Sequence, residues 1–249
     1  MTISDVAAQG FGADAWGYER GRPTYPAVAV SCLVAELGLG PSSVVVDLAA
    51  GTGKMSRLLA PSAGHVVAVE PVAAMRSVLV ELVPDAGVVA ATAEHLPLAG
   101  ASVDAVVAAQ AFHWFAVDQA LAEVARVVRP GGGLALVWND RDTSVPWVAE
   151  LSALIEWDDR PVASYHERDW LEAMAATGHF EQAGSRRFRL RQSLDADTLV
   201  DRVLSTSYIA ARPLGEQQAL AREVRRLVEN LGQRFELPYL TDVYWCRRG

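Results

Sequence analysis

Three β-branched residues in a row, Val44-Val45-Val46, lead into Asp47-Leu48-Ala49-Ala50-Gly51-Thr52-Gly53, after which Met55, Leu58 and Leu59 recur at helical spacing. An unbroken apolar run, a glycine pair and then a 3.6-residue period predict a buried strand, a tight turn and a helix. The alternation continues, with strands at about 43–48, 66–70, 86–90, 103–109 and 133–138 and helices at about 27–37, 54–61, 72–82 and 117–129. Pro71 and Pro84 fall at element ends, where a missing N–H does least harm. Strand and helix in turn predict an α/β fold, a mostly parallel sheet with helices on both faces. Gly131-Gly132-Gly133 reads as a turn into the fifth strand, because a strand and not a helix follows it.

Beyond Asn139 the rhythm changes. Trp147–Trp157 reads as an amphipathic helix, Asp158–His166 as a loop, and Arg168–Thr177 as a helix stopped by Gly178. Phe180–Gln192 alternates as a strand, with Phe188 and Leu190 opposite a solvated row of Arg187, Arg189 and Arg191. Asp195–Tyr208 and Gly215–Leu231 read as two helices, and Tyr239–Arg247 as a strand with Val243 and Trp245 on one face. The two late strands are expected to form an antiparallel edge. The chain is therefore expected to be one domain over 1–249, with a core at about 27–140 and a helical cover with late strands at about 141–249.

Composition narrows the partners. A formal charge of −8 and a pI near 5.1 disfavour a nucleic-acid backbone as the main partner, since that interaction needs clustered cations. Lys54 is the single lysine, and the two cysteines, Cys32 and Cys246, are too few for a disulfide framework. There is no apolar run of about 18 residues for a membrane span, and the first residues lack the basic start and apolar stretch of a signal peptide. The expectation is a soluble, cytoplasmic protein without nucleic-acid or membrane partners; its oligomeric state is not legible.

The glycine turn carries the first chemical signal. Gly51 tolerates positive φ and lets a ligand approach the backbone, while the helix that follows opens with free N–H groups. A dinucleotide site would read G-x-G-x-x-G, and the third glycine is missing after Gly53. Glu70 ends the second strand, 19 residues after Gly51, where a carboxylate can accept both hydroxyls of a ribose. That position fits NAD and any other ribose-bearing ligand alike.

The spacing D-x-x-x-G-x-G from Asp47 to Gly53 resembles motif I of class I S-adenosylmethionine (SAM)-dependent methyltransferases. Ala91–Leu98, Val103–Val107 with Gln110–Phe115, and Leu121–Gly132 resemble, in order, that family's adenine-bordering segment, its fourth strand with the loop facing the methyl group, and the helix and turn before its fifth strand. Four ordered motifs over about residues 44–139 identify the chain as a member of the family. The leading Tyr18-Glu19-Arg20-Gly21-Arg22-Pro23-Thr24-Tyr25-Pro26, the His113-Trp114-Phe115 run and the late antiparallel strand look most like the small-molecule branch that includes trans-aconitate methyltransferase.

The resemblance implies a Rossmann-like class I sheet and SAM as cofactor. It implies that Thr92, Ala93 and Glu94 border the adenine, although many relatives carry Asp where Thr92 stands. It also implies that the loop Trp16–Pro26 closes over the cofactor, with Tyr18 and Arg22 near its methionine carboxylate and Tyr25 toward the substrate; a static strap is the alternative. Ala49, Gly51 and Gly53 would give backbone access to the cofactor. Asp47 would hold the loop or, through water, the ammonium, or else cap turn N–H groups. Gln110 lies at the strand edge where open α/β sheets bind ligands. His113, just beyond, is a candidate base or donor to a carboxylate, or a structural imidazole. Trp114 is expected to wall the acceptor pocket.

Methyl transfer from a sulfonium is an in-line displacement governed by alignment, so no nucleophile triad is expected. Asn139, Asp140 and Asp142 have no acid at the Gln110 end to complete a magnesium site, and two distant cysteines cannot hold an iron–sulfur cluster. The expected activity is metal-independent methyl transfer to a carboxylate or hydroxyl oxygen of a small molecule. The alternatives are a SAM-binding protein of the same fold without transfer and an NAD-linked oxidoreductase.

Overall fold

A computed structural model describes residues 14–156 and 170–249. Seven strands form one sheet: β1 (Val44–Leu48), β2 (His65–Val69), β3 (Gly87–Val89), β4 (Val103–Ala109), β5 (Val128–Arg141), β6 (Phe180–Leu194) and β7 (Phe235–Arg248). Their order is β3-β2-β1-β4-β5-β7-β6. The first five run parallel, and β7 lies antiparallel between β5 and β6. The strand order therefore reverses between β1 and β4, and open α/β sheets bind ligands beyond the carboxyl ends of such a pair.

The continuous apolar runs follow from burial on both faces. Val46, Leu48, Val106, Leu134 and Leu136 pack on one side with Leu121 and Val124 of α5 (Val117–Val127) and with Trp170 and Met174 of α7 (Trp170–Thr177). Val45, Val107, Ala135 and Val137 pack on the other with Leu33 and Leu37 of α2 (Ala27–Leu37) and Met55 and Leu59 of α3 (Lys54–Leu59). α4 (Ala73–Leu82) lies against the β2 side.

β6 and β7 are longer than the alternation suggested because their outer ends carry a separate apolar cluster. There Phe235, Leu237 and Tyr239 meet Leu151 of α6 (Pro146–Leu154), Leu199 and Val203 of α8 (Ala196–Leu204), Ile209 of α9 (Ser207–Ala210), and Val224 and Val228 of α10 (Leu214–Val228). This cluster is the cover. One expected helix, Asp195–Tyr208, is two, divided after Leu204. The Gly131–Gly133 turn is instead a bulge inside β5: Val128 pairs with Val103, Gly133 with Ala105, and the residues between loop out, with Gly131 at φ 76°. On β6 the Arg187, Arg189 and Arg191 side is exposed as expected, and Arg187 also pairs with Asp242 of β7 through two bonds of 2.6 and 2.8 Å.

The N-terminal strap departs from the expected loop. Ala15–Gly21 is a helix, α1, because the Asp14 carboxylate caps it by accepting the Gly17 N–H at 2.7 Å. Arg22 leaves the helix in extended conformation. The expected loop at Asp158–His166, the ends of the neighbouring helices at Trp157 and Arg168, and residues 1–13 lie outside the described residues. Among the described residues no helix is long and apolar enough to cross a membrane.

Candidate active site

Strands β1 and β4 are each followed at once by a non-glycine residue with left-handed backbone: Ala49 at φ 57° and Gln110 at φ 58°. Such residues are strained and persist only where their surroundings hold them. Ala50 N–H bonds the Val69 carbonyl at 3.0 Å, and Gln110 N–H bonds the Val137 carbonyl at 2.8 Å. The Gln110 side chain donates to the Asn139 carbonyl at 2.7 Å, and Asn139 in turn donates to Thr24 O and accepts from Thr241. The cleft floor is thereby tied across β4, β5, β7 and the strap.

After β1, Gly51 at φ 58° and Gly53 at φ 83° turn the chain into α3. The two glycines serve different purposes. A Cβ on Gly51 would find only Tyr18 Cε1 at 4.0 Å, so the space above it is open and the backbone angle is what requires glycine. A Cβ on Gly53 would stand 2.7 Å from Val83 Cγ2, so this residue is small to let the turn pack on α4. Gly53 lines neither of the two cavities described below.

Glu70 closes the other side of the turn. Its Oε2 accepts the Gly51 N–H and its Oε1 the Val72 N–H, each at 2.8 Å. Burial raises its carboxyl above the ordinary value against these two bonds. Asp47 is buried and accepts from Ser56 Oγ at 2.5 Å; burial is the main reason its carboxyl is pushed up to about 6. Asp47 thus holds the turn to α3, while one edge faces the cleft.

Two adjoining cavities share the walls Tyr18, Ala49, Gly51, Ala109 and Gln110. The first continues along Glu70, Val72, Met75, Ala111, Trp114 and Phe115 and is mainly apolar. The second runs the opposite way, past Asp47, Thr52 and Lys54, to Tyr25, Asn139, Arg22 and Arg202. Tyr25 is buried there, and burial raises its phenol well above the usual value.

The strap is fastened over these cavities through Glu19. Its carboxylate accepts from Thr52 Oγ1 at 2.5 Å and Arg57 at 2.6 Å, and Lys54 Nζ stands 3.2 Å away while donating to the Glu19 carbonyl at 2.7 Å. At the far end of α1, a Cβ on Gly21 would stand 2.6 Å from the backbone nitrogen of Arg202, so α1 and α8 meet backbone to backbone.

Of the expected site residues, Tyr18, Arg22, Tyr25, Asp47, Ala49, Gly51, Glu70, Gln110 and Trp114 line one cavity or both. Thr92, Ala93, Glu94 and His113 line neither. The Glu94 carboxylate is turned to the Ala116 N–H at 2.9 Å, which braces the loop carrying Trp114. Thr92 bridges to His95 and Ala93 is buried in the core. His113 sits on the short helical turn Phe112–Trp114, its ring 4.9 Å from that of Trp114. Arg202, Asn139, Lys54 and Thr52 were missed as site residues. A charge at position 202, between Leu199 and Val203 on the apolar side of α8, is the signal that could have found Arg202.

Residues 46–136 match a family model described as a methyltransferase domain. An uncharacterized methyltransferase of Mycobacterium tuberculosis (strain ATCC 25618 / H37Rv) is 38% identical over 88% of this chain and 85% of its own length. A malonyl-[acyl-carrier protein] O-methyltransferase of Methylococcus capsulatus is 39% identical over 50% of this chain and 48% of its own. Geranyl diphosphate methyltransferase, solved in complex with GPP and sinefungin, shares the fold with a TM-score of 0.52 and 18% identity, covering 89% of this chain and 77% of that one. The chain belongs to the methyltransferase family, and it is a class I enzyme dependent on SAM.

The residues present fit that cofactor. A carboxylate has about four acceptor positions, so Glu70, with two given to backbone N–H groups, keeps capacity for two ribose hydroxyls. The open space over Gly51 admits a ligand against the turn.

Proposed function

We propose that the protein methylates an oxygen, carboxylate or hydroxyl, of a small-molecule acceptor bound in the second cavity, without a metal. The observation that carries this reading is the shared wall of the two cavities. A ligand lying along the Glu70 cavity has its reactive end at Ala49, Gly51 and Gln110, where the second cavity begins. The enclosure of that second cavity by the strap and α8 favours a small acceptor over a macromolecule.

In this reading Glu70 holds the ribose diol, and Val72, Met75, Trp114 and Phe115 give the adenine an apolar slot. Thr92, Ala93 and Glu94 act at one remove, by shaping the loop behind Trp114. Gly51 and Asp47 keep the turn in place beside the methionine portion, while Gly53 sets its height above α4. Bound SAM supplies an electrophilic methyl on a sulfonium sulfur. What the protein adds is alignment and exclusion of water by Tyr18, Tyr25 and the strap, which can contribute several kcal/mol (about 7–11 at the limit). Asp47 is committed to Ser56 and His113 is off the cavities, so no base is assigned; an acceptor oxygen already ionised at neutral pH needs none. The relative from Methylococcus, an O-methyltransferase by name, favours oxygen as the acceptor atom.

The test is calorimetry with S-adenosylhomocysteine, then radiolabelled SAM offered with small carboxylic acids, phenols and amines. Binding of S-adenosylhomocysteine, and label in an ester or ether, is the expected result. Label appearing only in the amines, or in none of the three classes, would refute oxygen of a small molecule as the acceptor.

A further inference from the structure

The wall shared by the two cavities holds a fixed hydrogen-bond acceptor. Ala49, Gly51 and Ala109 bring no polar side chain to it. Tyr18 is engaged by Arg22, whose guanidinium lies 5.0 Å over its ring. Gln110 is half-buried, with its backbone at φ 58°. Glycine would take that angle without strain, and the Val137 carbonyl holds the Gln110 N–H there at 2.8 Å. A strained backbone is therefore kept at a position that carries a long polar side chain.

The amide of that side chain has a single orientation. Its Nε2 donates to the Asn139 carbonyl at 2.7 Å. A carbonyl can only accept, so the reversed amide would set two oxygens against each other. Asn139 is itself fixed in β5, opposite Thr241 of β7, with its side chain held by Thr24 O at 2.9 Å and Thr241 Oγ1 at 2.6 Å. Gln110 Oε1 therefore faces away from the Asn139 carbonyl, and among the described residues nothing donates to it. Bracing Asn139 needs only the NH₂ half of the amide. The oxygen half is left at the cleft, as an acceptor that cannot swing aside.

We propose that Gln110 Oε1 recognises the positive charge of the cofactor at its methylated sulfur, and so separates SAM from the neutral S-adenosylhomocysteine left after transfer. This rests on the methyl-transfer reading above, in which the reactive end of the cofactor lies at Ala49, Gly51 and Gln110. A sulfonium has no N–H or O–H to donate, so what it offers an oxygen is charge and polarised C–H groups. A preorganised amide dipole suits that task. It attracts the cation without the desolvation cost of a second buried charge, and it is too weak a nucleophile to take the methyl group itself. The carboxylates that line the cavities, Asp47 and Glu70, are both bound to the protein's own donors. Once the methyl group has left, Gln110 faces an uncharged sulfur and holds it less, which favours exchange of spent cofactor for fresh.

The experiment is calorimetry without acceptor, on wild type and Gln110→Met. The ligands are SAM, S-adenosylhomocysteine and sinefungin, in which an ammonium-bearing carbon replaces the methylated sulfur. Methionine keeps the length of the side chain and removes the oxygen. The variant should weaken SAM at least about threefold more than S-adenosylhomocysteine, and sinefungin, whose N–H groups can donate, about tenfold more. Loss of the Asn139 brace falls on all three ligands alike and cancels in these ratios. Gln110→Glu keeps an oxygen and adds charge, so it should shift both ratios the other way. It carries the test alone if Gln110→Met loses its fold by circular dichroism. Ratios that stay put in the folded variant overturn the proposal, and leave Gln110 as a brace or as a partner of the amino-acid ammonium that all three ligands share. If none of the three binds wild type, the methyl-transfer reading falls and the proposal with it; binding with unmoved ratios sinks the proposal alone.

Discussion

Glu70→Ala tests the cofactor side of the cleft, and its effect divides into two parts. The carboxylate is 5% exposed and holds the Gly51 and Val72 N–H groups at 2.8 Å each. Alanine leaves both donors without their acceptor, at about 1–3 kcal/mol apiece if water cannot reach them. Removing a carboxylate whose ionised form is disfavoured by burial returns part of this, so the net loss of stability should be about 1–3 kcal/mol. Loss of the ribose contacts is separate, about 1.5–3 kcal/mol, or roughly a tenfold to hundredfold fall in S-adenosylhomocysteine affinity. A weakened turn would mimic part of that fall. A double-mutant cycle removes the ambiguity, with wild type and Glu70→Ala each titrated with S-adenosylhomocysteine and with its 2′-deoxy analogue. Turn damage affects both ligands equally and cancels. A direct contact leaves a coupling of about 1–2 kcal/mol, because the variant no longer distinguishes the ligands. A coupling near zero with calorimetric affinities well determined would make Glu70 a brace for Gly51 and nothing more.

Two further outcomes follow from the turn and its fastening. The Asp47 carboxyl titrates near 6 in the folded protein against an ordinary value of 3.8, so its contribution to stability is greatest below 3.8 and is lost as pH rises through about 6. Asp47→Asn, which can still accept from Ser56, should therefore gain about 2 kcal/mol on wild type as pH rises from 4 to 7 in denaturant titrations, and parallel profiles would refute the buried-acid assignment. Glu19→Gln removes the charge that Thr52, Lys54 and Arg57 share, so amide exchange over 15–21 should quicken by about tenfold; unchanged exchange would mean that the Glu19 charge does not hold the strap.

What the sequence disclosed depended on whether the physics was local. The run Val44–Leu48 could be read as a buried parallel strand because helices cover both faces, and Gly51 because only its backbone angle matters. Glu70 could be placed from its spacing alone, since strand length and turn geometry leave little freedom between the ends of β1 and β2. The cover was harder. The outer halves of β6 and β7 pack against α8 and α10, and nothing in their alternation tells how far beyond the parallel strands they run. Thr92–Glu94 carried the motif, yet the structure turns Glu94 to a backbone N–H on the Trp114 loop, a partner 22 residues away.

The deepest failures are at the cleft itself. Ala49 and Gln110 adopt left-handed backbone with no residue-type signal, because the strain is imposed by ladders from β2 and β5 and not chosen by their side chains. Arg202 joined the site only because Gly21 lets α1 touch the backbone of α8, a coincidence of two segments 181 positions apart. Local rules describe sequences whose every position favours its own conformation, and functional sites are where that consistency is given up. Here the exceptions cluster: two strained strand ends, a buried acid near 6 and a pair of buried guanidiniums without an acid, all lining one cleft. A fold that needed only stability would have replaced each of them, so their gathering in one cleft marks it as the candidate site.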